Sequence, residues 1–246
     1  MSIESDIRKE QKAKLRLMSP KEKCSYIWAY YKFHILISLF ILLFLFTTIR
    51  DIHRNSRPHF IDVLLVNASP GFQPEDDMEG DYAAWAGVDT DAFQISIDAS
   101  IQFDRDGDGI NPLTLGAAQK FLAVYAAGDV DAMLAPEAVI ENYLKAGIFT
   151  DPTTVLTEAQ INDLTEKGCE LYIRKQSELI NEEEEEMPAE DREVCIGIKI
   201  NSSSYLSENG VFPSSGDILE PPVIFTFSPG SDSFDNAVSF LEMIIS

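Results

Sequence analysis

Residues 33–49 read FHILISLFILLFLFTTI, seventeen residues without a formal charge, interrupted only by His34, Ser38, Thr47 and Thr48. As a helix at about 1.5 Å per residue, the run reaches roughly 25 Å, close to the ~30 Å hydrocarbon core of a bilayer. Tyr26, Trp28, Tyr30 and Tyr31 can add a turn and an aromatic belt at the interface. The span is therefore read as 33–49, with a start as early as residue 26, and Lys32 snorkels toward the headgroups. The competing reading is a core helix of a soluble domain. Such helices keep a polar stripe, whereas residues 39–46 are apolar all round. A cleaved signal peptide fits poorly, because the basic arm is 32 residues long and the exit Thr47-Thr48-Ile49-Arg50-Asp51 has no small-x-small site.

The formal charge of -22 divides at the same place. Residues 1–57 hold 11 Lys/Arg against 5 Asp/Glu, or +6, and residues 58–246 hold 8 against 36, or -28. Eight of the basic residues precede the apolar run and three follow closely, which keeps the N-terminus in the cytoplasm. The chain thus reads as a basic cytoplasmic arm (1–32), a single transmembrane helix (33–49), a juxtamembrane linker (50–59) and an extracytoplasmic domain (60–246). The large acidic part lacks the clustered Lys/Arg that phosphate neutralisation needs, which argues against nucleic acid as a partner.

Within the outer part, Phe60–Asn67 is a mostly apolar strand, and Phe93–Phe103 alternates apolar and polar residues as a half-buried strand does. Residues 113–127 place Leu115, Ala118, Phe121, Leu122, Tyr125 and Ala126 on one helical stripe that stops at Gly128. A short strand follows over 130–135. Pro136 opens a second helix that carries Ala138, Val139, Tyr143 and Leu144 and closes at Gly147. Thr157 and Gln160 form a capping-box pair for a third. Residues 169–173, 194–200 and 222–227 read as strands, and Ser231-Asp232-Ser233 caps a terminal helix. Strands interleaved with helices predict an α/β domain with a mixed sheet, and about 190 residues suffice for one such core.

The run KFLAVYAAGDVDAMLAPEAVIENYLKAGIFTD, residues 120–151, resembles a stretch of type II extracellular solute-binding proteins. The matching positions are Gly128–Asp131 at a helix end, Ala132–Ala135 in a short strand, and Gly147–Asp151 closing the next helix. The closing PPVIFTFSPGSDSFDNAVSFLEMII looks like that family's late strand and packed helix. The resemblance implies one lobe of such a protein, since two lobes need a longer chain. Residues 20–34 resemble the anchor of single-pass proteins from Gram-positive bacteria, a likeness that implies no activity.

Asp104, Asp106 and Asp108, with Gly109 in sixth place, present oxygens in the order of a calcium loop. The twelfth position, where a bidentate acid belongs, is Leu115, and Ile110 falls one residue early. A calcium site and a solvated Asp/Gly turn are the two readings. Cys169 and Cys195 are the cysteines of the outer part. They fit either a disulfide closing the loop that holds the five-Glu run 182–186, or two buried thiols.

Catalysis has little support. His34, His53 and His59 all lie in or near the span, so the outer part has no interior histidine as base or zinc ligand, and neither GxxxxGK[ST] nor GxGxxG occurs. The chain is expected to be a membrane-anchored, non-enzymatic module that binds a small ligand or an envelope protein. A structural or assembly protein of the envelope is the alternative. A hydrolase using two carboxylates is the third, and it requires a facing pair about 5–10 Å apart in a cleft.

Overall fold

The structure is a computed structural model and describes residues 19–74, 77–103, 115–180 and 191–246. The calcium-loop positions Asp104, Asp106 and Asp108, the five-Glu run and most of the basic arm lie outside the described residues. Two compact units are distinguished, Met1–Arg57 and Pro58–Ser246.

The described part of the first unit is one helix, α1 (Pro20–Asn55). Ser19 and Glu22 cap it reciprocally: Ser19 N donates to Glu22 Oε2 at 2.9 Å and Glu22 N donates to Ser19 Oγ at 3.4 Å. Pro20 takes the first turn, where a missing N–H costs nothing. Residues 31–50 form a stretch of mean hydropathy 2.2 with exposed side chains, long and apolar enough to cross a membrane. The helix continues to Asn55, so most of the 50–59 linker is helical.

The second unit is a mixed α/β domain on a single sheet. Along the chain run β1 (His59–Leu65), α2 (Met78–Ala86), β2 (Gln94–Asp98), α3 (Leu115–Ala127), β3 (Ala132–Pro136) and α4 (Glu137–Asn142). A 3-10 turn at Leu144–Ala146, α5 (Pro152–Val155), α6 (Glu158–Glu166), β4 (Cys169–Lys175) and α7 (Gln176–Leu179) follow. The rest is β5 (Glu193–Ser202), α8 (Ser204–Glu208), β6 (Ser214–Ser215), β7 (Ile218–Phe227) and α9 (Phe234–Ile244). The sheet order is β2-β1-β3-β7-β5-β4, with β6 beside β7. β1 pairs in parallel with both β2 and β3, whereas β7 is antiparallel to β3 and β5, and β5 to β4.

Both faces of the sheet are covered, which is why β1 reads as a nearly continuous apolar run. Ile61, Val63 and Leu65 point to one face, where Tyr82 of α2 and Phe240 and Leu241 of α9 close the core. Leu64 and Val66 point to the other, with Phe121 of α3 and Val139 and Ile140 of α4. Two elements differ from the sequence pattern. The ladder of the second strand stops at Asp98, because Asp98 Oδ1 takes the Ser100 N–H (2.8 Å) in a local turn. Past that turn the alternation changes side: Ile95 and Ile97 belong to the first core, Ile101 and Phe103 to the second. In α3 only Phe121 is fully buried, with Ala118 and Tyr125 packed beside it, while Leu115 and Leu122 are half exposed.

Candidate functional site

The amino ends of β1 and β3 and the carboxyl end of α3 enclose a cleft of about 580 Å³. It exists because the apolar series on the second sheet face breaks there. Counting back from Val66 and Leu64, the next residue on that face is Asp62, and its register partner on β2 is Ser96, with Asp98 two residues on. Asp129, Asp131 and Asp232 complete an acidic lining from the loops before β3 and after β7.

The carboxylates differ in what holds them. Asp131 is a clip between three segments: its N–H donates to Asp62 O (2.9 Å), its Oδ2 accepts from Asp62 N (2.8 Å), and its Oδ1 accepts from Ser231 Oγ (2.6 Å). Asp62 has both oxygens 2.8 Å from His59 Nδ1. Burial pushes its carboxyl above the ordinary value of 3.8, and the His59 and Ser96 hydrogen bonds offset this only in part. Burial also acts upward on Asp98, but hydrogen bonds from Lys120 and Ser100 outweigh it and hold that group below its ordinary value. Lys120 Nζ lies 2.6 Å from Asp98 Oδ2 and also bonds Ser100 Oγ. Asp129 and Asp232, at the mouth, are exposed and bond to no described residue.

Asp62 on β1 and Asp98 on β2 are two carboxylates on neighbouring strands of the cleft, to be compared with the facing pair that a glycoside hydrolase needs. Their Cα atoms are roughly 8 Å apart by strand spacing, and their pKa values are displaced in opposite directions. Each is nevertheless closed by internal partners: both Asp98 oxygens are taken by Lys120 and Ser100 N, and Asp62 is tied to His59. A second carboxylate pair, Glu137 and Glu141 on α4, meets Tyr172 and Arg174 on β4 and Lys199 on β5. Tyr172 OH donates to Glu137 Oε1 at 3.0 Å and bonds Glu141. Arg174 Nε donates to Glu141 at 2.8 Å, and Lys199 Nζ to Glu137 Oε2 at 3.0 Å. Burial raises Glu137, yet hydrogen bonds from Lys199 and Tyr172 outweigh it and hold the group low, opposite to what a general acid requires. This network braces α4 against the sheet.

The aromatic residues Tyr82, Trp85 and Tyr125 do not line the cleft. Tyr82 is in the core with its hydroxyl on Asn236 O at 2.7 Å, Trp85 is half exposed on α2, and Tyr125 packs on Phe121. Cys169 and Cys195 are buried free thiols. The disulfide does not form, because the register pairs Cys169 with Ile200 and Cys195 with Ile173. Four positions at about 3.3 Å each separate the cysteines along the strands, beyond the 4.4–6.8 Å that a disulfide spans. Burial pushes both thiols up to about 11. Among the described residues, no group of three or more His, Cys, Asp and Glu side chains is placed to hold a metal ion.

The sequence pattern did not nominate the cleft. Ser96 and Asp98 are the polar members of an alternating strand and read as solvent-facing; their place beneath α3 becomes visible only once β2 pairs with β1. No protein-family model, curated protein or solved structure matches the chain.

Proposed function

We propose that the chain is a single-pass membrane protein whose α/β domain faces away from the cytoplasm and binds a ligand without chemically transforming it. The observation that carries this reading is the acidic cleft at the amino edge of the parallel strands, with Asp129 and Asp232 unengaged at its mouth. Such a site suits a cationic ligand, a polyamine or a basic peptide segment, since the unengaged carboxylates are acceptors only. The likeness of residues 120–151 to solute-binding proteins supports the same reading: Gly128–Asp131, its helix-end turn, borders the cleft. A calcium ion on Asp104, Asp106 and Asp108 is a separate proposal that does not enter this one.

The test is calorimetric titration of spermidine into the detergent-solubilised chain at low salt. Saturable heat that weakens with ionic strength, and weakens at least several-fold in Asp129→Asn/Asp232→Asn, is expected, because exposed charges are screened within about 10 Å at 0.1 M. No saturable heat, or equal binding by the double variant, would remove the cation reading. A structural or assembly role in the envelope is the second reading. It draws on Asp62, Asp98 and Asp131 being bonded internally, so that most of the lining already serves the fold.

A further inference from the structure

The polar residues of the apolar helix fall into two groups. Thr47 and Thr48 satisfy themselves: their hydroxyls donate to Phe44 O at 2.9 and 2.8 Å, the back-bonding that lets a hydroxyl sit in hydrocarbon. Ser38 and His34 do not. Neither bonds a described residue, and the contact His34 makes is an edge-on ring contact with Tyr31 at 6.2 Å. Ser38 lies roughly 4 Å from the midpoint of residues 31–50 at 1.5 Å per residue, where an unpaired polar group is costly.

These two residues share one face. Tyr31, His34, Ile35, Ser38, Leu39 and Leu42 line a shallow groove along α1, at spacings of three and four that stack on one side of a helix. At 100° per residue, Phe40 and Thr47 lie on the opposite side.

We propose that two copies of the chain pair in parallel within the membrane through this Tyr31–His34–Ser38 face. The inference rests on the membrane-spanning reading of α1. The unmet hydrogen bonds themselves select a second copy as the partner. All copies insert with the same orientation, so a two-fold axis brings each residue to its twin at the same depth. A hydroxyl and a neutral imidazole are each donor and acceptor at once, and each can therefore bond its own twin. An unrelated helix would need matching groups at both depths. Ser38 is also small, which lets the two backbones approach.

The test is energy transfer between donor- and acceptor-labelled full-length chains in phosphatidylcholine vesicles, followed as lipid dilutes the protein. Transfer above the random-proximity level, falling by mass action on dilution, is expected for the unaltered chain. Ser38→Leu and His34→Leu should each weaken pairing about three- to thirtyfold, the range for polar contacts between membrane helices. Ser38→Ala, which stays small, isolates the hydroxyl and should also weaken it. Phe40→Ala and Thr47→Val, on the opposite face, should leave it within about twofold. Random-level transfer in the unaltered chain, or equal weakening by Phe40→Ala, would overturn the pairing. Alkaline extraction separates the two readings. A protein that leaves the vesicles ends the membrane reading and the pairing with it. One that stays but shows random transfer ends the pairing alone.

Discussion

At the scale of single residues, the cleft contains two carboxylates with the same chemistry and opposite environments. Asp62 is pushed up by burial, whereas Asp98 is held down because Lys120 and Ser100 favour its charged form more strongly than burial disfavours it. The consequences for stability have opposite signs. With a folded pKa above the unfolded one, Asp62 contributes stability that is fully present below the unfolded pKa and is lost as pH rises through the folded value. Asp98, with the folded pKa below, contributes stability above the unfolded pKa that is lost as pH falls through the folded value. Carboxyl-carbon NMR titration should place Asp62 above and Asp98 below the ordinary 3.8. In Lys120→Met, Asp98 should move upward while Asp62 stays put. A reversed order would mean that the Lys120 contact does not persist in solution.

At the scale of elements, the legible parts are those whose local chemistry is self-sufficient. The Thr157–Gln160 capping box forms as the spacing predicts, with Thr157 N on Gln160 Oε1 at 3.0 Å and Gln160 N on Thr157 Oγ1 at 3.3 Å. The strands expected at 60–67, 169–173 and 194–200 match β1, β4 and β5 within a few residues. What escaped the pattern depends on partners distant in the chain. Helix α2 buries Met78, Tyr82 and Ala83 against the sheet and α9, yet its sequence MEGDYAAWA has too few apolar positions to announce a stripe. The cap of α9 differs for a similar reason: Ser231 Oγ accepts from Ser233 N but donates to Asp131, so a predicted cap residue also joins the cleft. Gly197 in β5 reads as an ordinary strand glycine and is in fact a point of close approach. A Cβ there would lie 2.5 Å from Ile224 Cγ2 and 2.8 Å from Phe225 O of β7. Because one of those atoms is backbone, relief requires the β5–β7 ladder to shift. Gly197→Ala is expected to destabilise the domain by about 1–3 kcal/mol in urea unfolding followed by near-UV circular dichroism. A change within experimental error would show that the strands yield without cost.

At the scale of the whole molecule, the net charge has opposite sign in the two compact units, which meet between Arg57 and Pro58, and the apolar run lies within the first. The +6 of residues 1–57 and the -28 of residues 58–246 bear on orientation in different ways. Lys and Arg flanking a span decide which end stays in the cytoplasm, whereas a large acidic domain is translocated largely regardless of its own charge. The eight basic residues ahead of the apolar run outnumber the three that follow it, and the orientation proposed above rests on that difference. Protease added to intact cells should then digest residues beyond about 58 and leave the basic arm and span as a protected fragment. The converse, a protected C-terminal domain, would place the acidic cleft in the cytoplasm and remove external ligands from its reach. Moving basic residues sharpens the test. Replacing Lys21, Lys23 and Lys32 with Gln lowers the leading count from eight to five against three, and should raise the inverted fraction above that of the unaltered chain. If the fraction inverted does not respond, the flanking charges are not what orients the helix.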